Sequence, residues 1–319
     1  MRITRRALPL VFAVAGSSVA RAEALIRIGT LRFGSLGWEL DVMRRHDLVR
    51  GFALEAVEFA AGPASQVALL AGRVDIVLQD WLWVSRQLAL GAPLTAMPVP
   101  GALGAVMTPA DSAVRSLSDL RGKRLGVAGG PIDKSWLLLR LYGRRQGVDL
   151  DSAVEHVFGP PPLLAEQLRA GRLEAALTYW PFAARGEAQG QIAMLEMADV
   201  LAGLGLPRDM PMLGLVFSRP WAEANRPGLA SFLAASQAAR AILMQSDAEW
   251  QQIAPLTGAQ NEGELERLRT RYRSGFPGAW DAEKQAAAAR LFALLAEVGG
   301  TDVVGSQTQL APGTFWPSA

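Results

Sequence analysis

Cysteine is missing from the 319 residues altogether, and histidine occurs only at His46 and His156. The first absence excludes disulfides, thiolate nucleophiles, iron–sulfur clusters and cysteine-type zinc sites. It also excludes a lipid-modified cysteine at a leader junction, so an exported form of the chain is expected to be free, with no membrane anchor. The scarcity of histidine argues against an imidazole-rich metal centre. Long apolar runs are missing too. After the N-terminal region no segment reaches about 18 uninterrupted apolar residues, so no transmembrane helix is expected.

An excess of charge of one sign is also absent. There are 32 basic and 30 acidic residues, a formal net charge of +2, and four of the arginines (Arg2, Arg5, Arg6 and Arg21) fall in the first 22 residues. That stretch reads as an export leader: a cationic start, an apolar stretch from Leu8 to Val19, and the small-x-small tripeptide Ala20-Arg21-Ala22. Thr4-Arg5-Arg6-Ala7-Leu8 also resembles a twin-arginine signal, so both that route and the general secretory route stay open. Taking the leader's four arginines from the 32 basic residues leaves 28 against 30 acidic, a net of −2. Cleavage thus removes the apparent basicity, and nothing points to nucleic acid, which demands a basic face on the folded domain.

From Leu25 onward short apolar runs alternate with helical periodicity, the pattern of an α/β fold. Strands are expected at Ile26–Leu31, Phe52–Phe59, Val74–Leu78 and Leu94–Val99, with helices at about Leu36–Val49, Pro63–Ala71 and Trp81–Leu90 between them. After Pro109 the unit repeats, with strands at Arg124–Ala128, Val154–Phe158 and Leu173–Thr178 and helices at Lys134–Gln146 and Leu163–Ala170. The strands Gly104–Thr108 and Leu213–Ser218, flanked by Pro or Gly, read as crossings between two lobes. The expected division is a signal peptide over 1–22, a discontinuous first lobe over 23–107 and 214–319, and a second lobe over 108–213. Beyond Pro220 the chain reads as nearly all helix, packing back on the first lobe, and Thr301–Ala319 reads as loop and tail.

Several segments carry a family resemblance. Ile26-Arg27-Ile28-Gly29, Val57-Glu58-Phe59-Ala60-Ala61-Gly62-Pro63 and Ala71-Gly72-Arg73-Val74-Asp75-Ile76 resemble the first lobe of the sulfonate/nitrate/taurine-type periplasmic binding proteins of ABC importers. Val106-Met107-Thr108-Pro109-Ala110-Asp111-Ser112 and Ser116-Leu117-Ser118-Asp119-Leu120-Arg121-Gly122-Lys123-Arg124 are similar to the same family. Trp180-Pro181-Phe182 stands where that family often has a Trp-x-Pro-Phe turn, here one residue shorter. The resemblance runs from about Ile26 to Phe217 and thins thereafter. It implies a type II periplasmic binding protein fold: two α/β lobes joined by two crossing strands, with ligand in the cleft. It also implies a small-molecule ligand, an ABC permease with its ATPase as partners, a periplasmic location, a monomer, and neither cofactor nor catalysis.

In open α/β sheets ligands sit beyond the carboxyl ends of the strands, and four such points are candidates. The first is Arg32-Phe33-Gly34-Ser35, where Gly34 permits close backbone approach and Ser35 caps a helix whose N–H groups face an anion; the same residues also make an ordinary capped helix. The second is Gln79-Asp80-Trp81, with Asp80 as cap and Trp81 facing cleft or core, Trp83 being packing. A cleft-facing Asp80 would favour an amine over a bare anion. The third, Gly129-Gly130-Pro131-Ile132-Asp133-Lys134, offers a backbone concavity capped by Asp133, with Lys134 simply solvated. It is not a dinucleotide fingerprint, since Gly-x-Gly-x-x-Gly is absent. The fourth is Tyr179-Trp180, whose rings close over the organic part of a ligand or pack one lobe on the other. Acids here (Asp80, Asp133, Glu39, Asp41) also admit a hard cation, though exposed acids are usually a solvated face.

An enzyme is the rival class. A relative in the same broad superfamily makes the thiamine pyrimidine, and its pattern leans on a cysteine cluster that this chain lacks. A serine hydrolase needs Gly-x-Ser-x-Gly, and Gly34-Ser35-Leu36-Gly37 has the wrong spacing. His46, in Arg44-Arg45-His46-Asp47, reads as surface and His156 as structural. The other rival is a ligand sensor without transport, which would signal through a separate protein.

Overall fold

The computed structural model describes residues 24–32, 34–275 and 280–317; the expected leader and Phe33 lie outside them. Strand and helix alternate as β1 (Ala24–Leu31), α1 (Leu36–Arg45), β2 (Phe52–Phe59), α2 (Gly62–Leu70), β3 (Ile76–Asp80), α3 (Trp81–Ala89) and β4 (Leu94–Val99). A second series follows: β5 (Ala105–Pro109), β6 (Arg124–Ala128), α4 (Lys134–Arg145), the short α5 (Leu150–Ala153), β7 (Glu155–Gly159), α6 (Pro161–Arg169), β8 (Ala175–Thr178), α7 (Trp180–Ala188), β9 (Gln191–Glu196) and α8 (Met197–Gly203). Then come β10 (Leu213–Ser218) and the helices α9 (Arg219–Ala224), α10 (Arg226–Gln245), α11 (Asp247–Thr257), α12 (Glu262–Ser274) and α13 (Ala282–Val304).

The strands form two five-stranded sheets with the same plan, β2-β1-β3-β10-β4 and β7-β6-β8-β5-β9. In each sheet one strand runs against the rest: β10 is antiparallel to β3 and β4, and β5 to β8 and β9. Those two are the strands that follow a passage from one sheet to the other. Central strands covered on both faces are apolar nearly throughout, as in Ile76-Val77 and Leu215-Val216-Phe217, all buried. This is the two-lobed α/β architecture expected from the alternating pattern.

The crossings themselves differ from expectation. Ala105–Pro109 and Leu213–Ser218 each belong to a single sheet, so the chain passes between sheets just before each of them, through residues 100–104 and 204–212. The first passage is tight because a Cβ on Gly104 would stand 1.9 Å from the Thr178 carbonyl oxygen. Gly104→Ala therefore forces backbone apart at the junction, and an expected loss of roughly 2 kcal/mol is checked by chemical denaturation.

The helical remainder does not pack on the first sheet alone. α10 and α11 lie against α1, but α12 runs along α7 and α13 rests on both α4 and α3. The reason is compositional: Leu291, Leu295 and Val303 of α13 join Trp136 and Leu137 of α4 in one buried cluster. The tail is also more than a loop. Ala96 N donates to Thr314 O at 2.8 Å and Trp316 N to Ala96 O at 2.9 Å, so the tail pairs with the edge strand β4, which would otherwise be open to foreign strands. Trp316 packs edge-on against Phe217, with Arg219 and Arg226 over its ring. Among the described residues no helix is long and apolar enough to cross a membrane.

Candidate functional site

The carboxyl ends of the parallel strands in the two sheets lead into α1, α3, α4 and α7. Between these ends lies a cavity of about 100 Å³. Ser35 and Glu39 of α1, Leu78 of β3 and the passage from Val99 to Leu103 line it from the first sheet. Trp180 at the start of α7 lines it from the second, Met212 and Leu213 from the return passage, and Tyr272 from α12.

Ser35 and Glu39 share a face because residues four apart are stacked one turn above the other. The Ser35 side chain makes no capping bond to α1, so the helix start that opens on the cavity is not closed by its own cap, contrary to expectation. Glu39 is buried and accepts three hydrogen bonds: from Tyr272 OH at 3.2 Å, Arg240 Nε at 3.1 Å and Ser236 Oγ at 3.4 Å. Burial pushes its carboxyl up from the ordinary range, against the pull of the Arg240 guanidinium. Tyr272 is likewise raised, first by burial and then by the Glu39 charge. Trp180 stands edge-on to Trp38 at 5.9 Å and to Tyr272 at 6.2 Å between centroids. The walls are therefore aromatic and apolar, with few polar groups, as small-molecule sites generally are.

With this geometry in view, comparison with known proteins gives a family. The family model described as NMT1/THI5 like matches residues 50–249, more than half of the chain. The chain belongs to the NMT1/THI5-like family. No curated protein matches the sequence. Among solved structures, the periplasmic aliphatic sulphonate binding protein SsuA from Escherichia coli is similar at TM-score 0.72 with 19% identity, covering 92% of each chain. The alkanesulfonate-binding protein SsuA from Xanthomonas axonopodis pv. citri, bound to MOPS, has TM-score 0.68 with 21% identity, over 92% of this chain and 98% of that one. The periplasmic nitrate-binding protein NrtA from Synechocystis PCC 6803 has TM-score 0.57 with 11% identity, over 82% and 75%. The two-lobed binding-protein fold of this NMT1/THI5-like chain thus agrees with that of its structural neighbours.

In this family member the starts of α3 and α4 are each capped by an aspartate. Asp80 Oδ1 accepts from Trp83 N at 2.8 Å, and its Oδ2 meets Lys134 Nζ at 3.2 Å. Lys134 is thus not merely solvated; it joins the start of α4 to the start of α3 across the two sheets. That cation takes the position an amine ligand was expected to fill beside Asp80. Asp133 Oδ1 accepts from Ser135 N at 2.9 Å and its Oδ2 from Tyr179 OH at 3.2 Å. Gly129 adopts φ +91°, and a Cβ there would lie 2.8 Å from Tyr179 Oη and 2.9 Å from Asp133 Oδ2, so glycine is required on both counts. Burial raises the Asp133 carboxyl, with Lys134 opposing, and raises the Tyr179 phenol.

A raised carboxyl binds its proton more tightly folded than unfolded. Its contribution to stability is full below about pH 4, the unfolded value for aspartate, and is lost as pH rises through the folded value. Asp133→Asn keeps an oxygen for the cap but does not titrate. The variant's melting midpoint minus that of wild type should therefore become more positive from pH 4 to neutrality; a constant difference would contradict the assignment.

The other described candidates do not line the cavity. Arg32 forms an exposed pair with Glu58 at 3.0 Å, and Gly34 N closes a turn on Leu31 O at 2.9 Å. Phe33 lies outside the described residues. Gln79 is buried and braces the start of α2, donating to Gly62 O at 3.1 Å and Ser65 Oγ at 2.9 Å. Trp81 is core: its indole N–H donates to Pro211 O at 2.8 Å and its ring packs on Phe315. Gly130 O accepts from Asp133 N at 3.0 Å. Among the described residues no three acids or histidines gather to hold a metal ion. Of the expected set, Ser35 and Trp180 line the cavity, and Gly129, Asp133 and Tyr179 form a separate cluster. Tyr272, Met212, Leu213 and the Val99–Leu103 passage were not expected; their only sequence signal was proximity of some of them to a crossing.

Proposed function

We propose that this chain is the periplasmic solute-binding component of an ABC-type import system, taking a small organic solute or oxyanion between its lobes and closing over it. The observation that carries the reading is the cavity itself, which is walled jointly by strand-end residues of both sheets. The two lobes built on the two sheets go with it, closure being a rotation about the passages at residues 100–104 and 204–212. The names of the structural neighbours, which bind sulfonates and nitrate, support an acidic organic solute or oxyanion as the class of cargo. The closed form would be what a permease and its ATPase recognise, with the protein acting as a monomer after removal of residues 1–22. Binding rather than catalysis is supported by the histidines: His46 pairs with Glu249 and His156 with Leu150 O, and neither lines the cavity.

A thermal-shift screen of the mature chain against sulfonates, nitrate, pyrimidines and methylated amines tests this. A ligand at about 100 times its Kd stabilises the folded state by about 2.7 kcal/mol, which raises the melting midpoint by several degrees. No shift with any solute, or turnover of one, would contradict the reading.

A further inference from the structure

We infer that the face where α7 meets α12 is a fixed pivot of lobe closure, so that the lobes part on the other flank, where α13 lies against α3 and α4. The inference rests on the binding reading above and adds which contacts hold while the lobes move.

Two C-terminal helices reach from the helices of one sheet to those of the other. α12 packs on α7, and α13 packs on both α3 and α4. They lie on separate flanks: residues of α1, α12 and Ala184 of α7 share one buried cluster, and residues of α3, α13 and α4 share another. Each helix also abuts a passage between the sheets. A Cβ on Gly275, just past α12, would stand 2.0 Å from Ala102 N, and Lys284 of α13 meets Asp209 at 3.0 Å. A rotation leaves unchanged only the contacts near its axis, so the flank whose contacts cost more to break is the one that stays.

The α7–α12 flank is joined by directional, buried charge. Arg271 is 8% exposed and makes four hydrogen bonds, two to Glu187 and two to Glu196. Arg185 of α7 meets Glu264 at 2.7 Å and donates through Nη2 to Thr257 O at 2.7 Å. Parting these groups leaves charges without counterions where water is largely excluded. Between α3 and α4 the contact is one ion pair, Lys134 to Asp80 at 3.2 Å. Both partners remain open to water, and such a pair costs less to part.

The rest of that flank is apolar. Leu291, Leu295 and Val303 of α13 share their cluster with Trp136 and Leu137 of α4. The polar bonds of α13 go elsewhere, to α3 through Arg86 Nη1 and Asp302 O at 2.9 Å, and to the return passage through Lys284. Apolar contacts have no preferred direction, so α4 slides along α13 in small displacements, as packed helices do in shear.

The test uses two pairs of spin labels in a chain without cysteine. Ala188→Cys with Gln245→Cys spans the α7–α12 flank, and Leu90→Cys with Arg145→Cys spans α13; all four positions are exposed. Electron–electron double resonance on the ligand-free mature chain should give a narrow distance distribution for the first pair. The second should be at least about twofold broader, as a shearing face is against a fixed one. Arg185→Met with Arg271→Met should broaden the first pair to the width of the second. Equal widths in wild type, or a broader first pair, overturn the inference, and the wild-type comparison decides even if the double variant fails to fold. A first pair left narrow in a folded double variant overturns it too. If the widths are equal while a solute from the thermal-shift screen binds, only the pivot falls; if no solute binds, the binding reading fails whatever the widths.

Discussion

Replacing Arg271 by methionine should lower stability by about 2 kcal/mol and the melting midpoint by about 3 °C. Arg271 and Tyr272 are neighbours on α12 that reach opposite ways. Tyr272 bonds Glu39 on α1, while Arg271 holds Glu187 of α7 through Nε at 3.0 Å and Nη2 at 2.6 Å, and Glu196 at the end of β9 through Nη1 at 3.1 Å and Nη2 at 2.8 Å. Removing the guanidinium leaves two carboxylates facing each other without a counterion. The loss is put below that of a fully buried pair because Glu196 remains 36% exposed. Arg32→Met is the control. Its partner Glu58 is as exposed as Arg32 itself, so the change should stay within about 0.5 kcal/mol. Equal effects of the two substitutions would mean that α12 does not bind the two sheets together through charge.

Trp180→Ala should reduce ligand affinity by at least about 30-fold, measured by titration with any solute identified in the thermal-shift screen. The ring is the principal surface that α7 contributes to the cavity, and centrally placed aromatic anchors of this kind contribute about 2 kcal/mol or more. Trp81→Ala separates site from core. With its ring buried against Phe315, it should lose about 3–5 kcal/mol of stability while leaving the affinity of the folded fraction within a few-fold. If Trp81→Ala abolished binding and Trp180→Ala did not, the cavity would be the wrong one.

Much of the fold was legible because it is written in local periodicity. Alternating runs such as Ile26–Leu31 and Leu36–Val49 announce strand and helix before any tertiary contact is known. The order of the strand-end turns then implied two lobes. Ser35 and Trp180 were legible for the same reason, since each opens a helix directly after a central strand. Trp81 satisfies the same rule, yet it is core: its surroundings come from Phe315 and Pro211, more than 100 positions away, and no local signal tells which face of α3 they cover. The tail read as loop because it pairs with β4 through backbone groups rather than through a periodic apolar face.

The polar heart of the site was hidden by distance along the chain. Glu39 sits among Trp38, Leu40, Val42 and Met43, a setting in which an acid reads as the solvated stripe of an amphipathic helix. It is buried because Tyr272 arrives from 233 positions downstream and Arg240 from 201. Lys134 and Asp80 each looked like a separate helix start, and only the apposition of the two sheets makes them a pair.

The most direct measurement of closure over a solute uses the chain's lack of cysteine. Val67 on α2 and Leu163 on α6 occupy equivalent helices of the two lobes and are 67% and 50% exposed, so Val67→Cys with Leu163→Cys gives two unique sites for spin labels. Electron–electron double resonance should show a broad distance distribution without ligand and a narrower, shifted one with saturating ligand. An identical distribution in both conditions, with binding confirmed in the same sample, would contradict the account of a protein that works by closing two lobes over its solute.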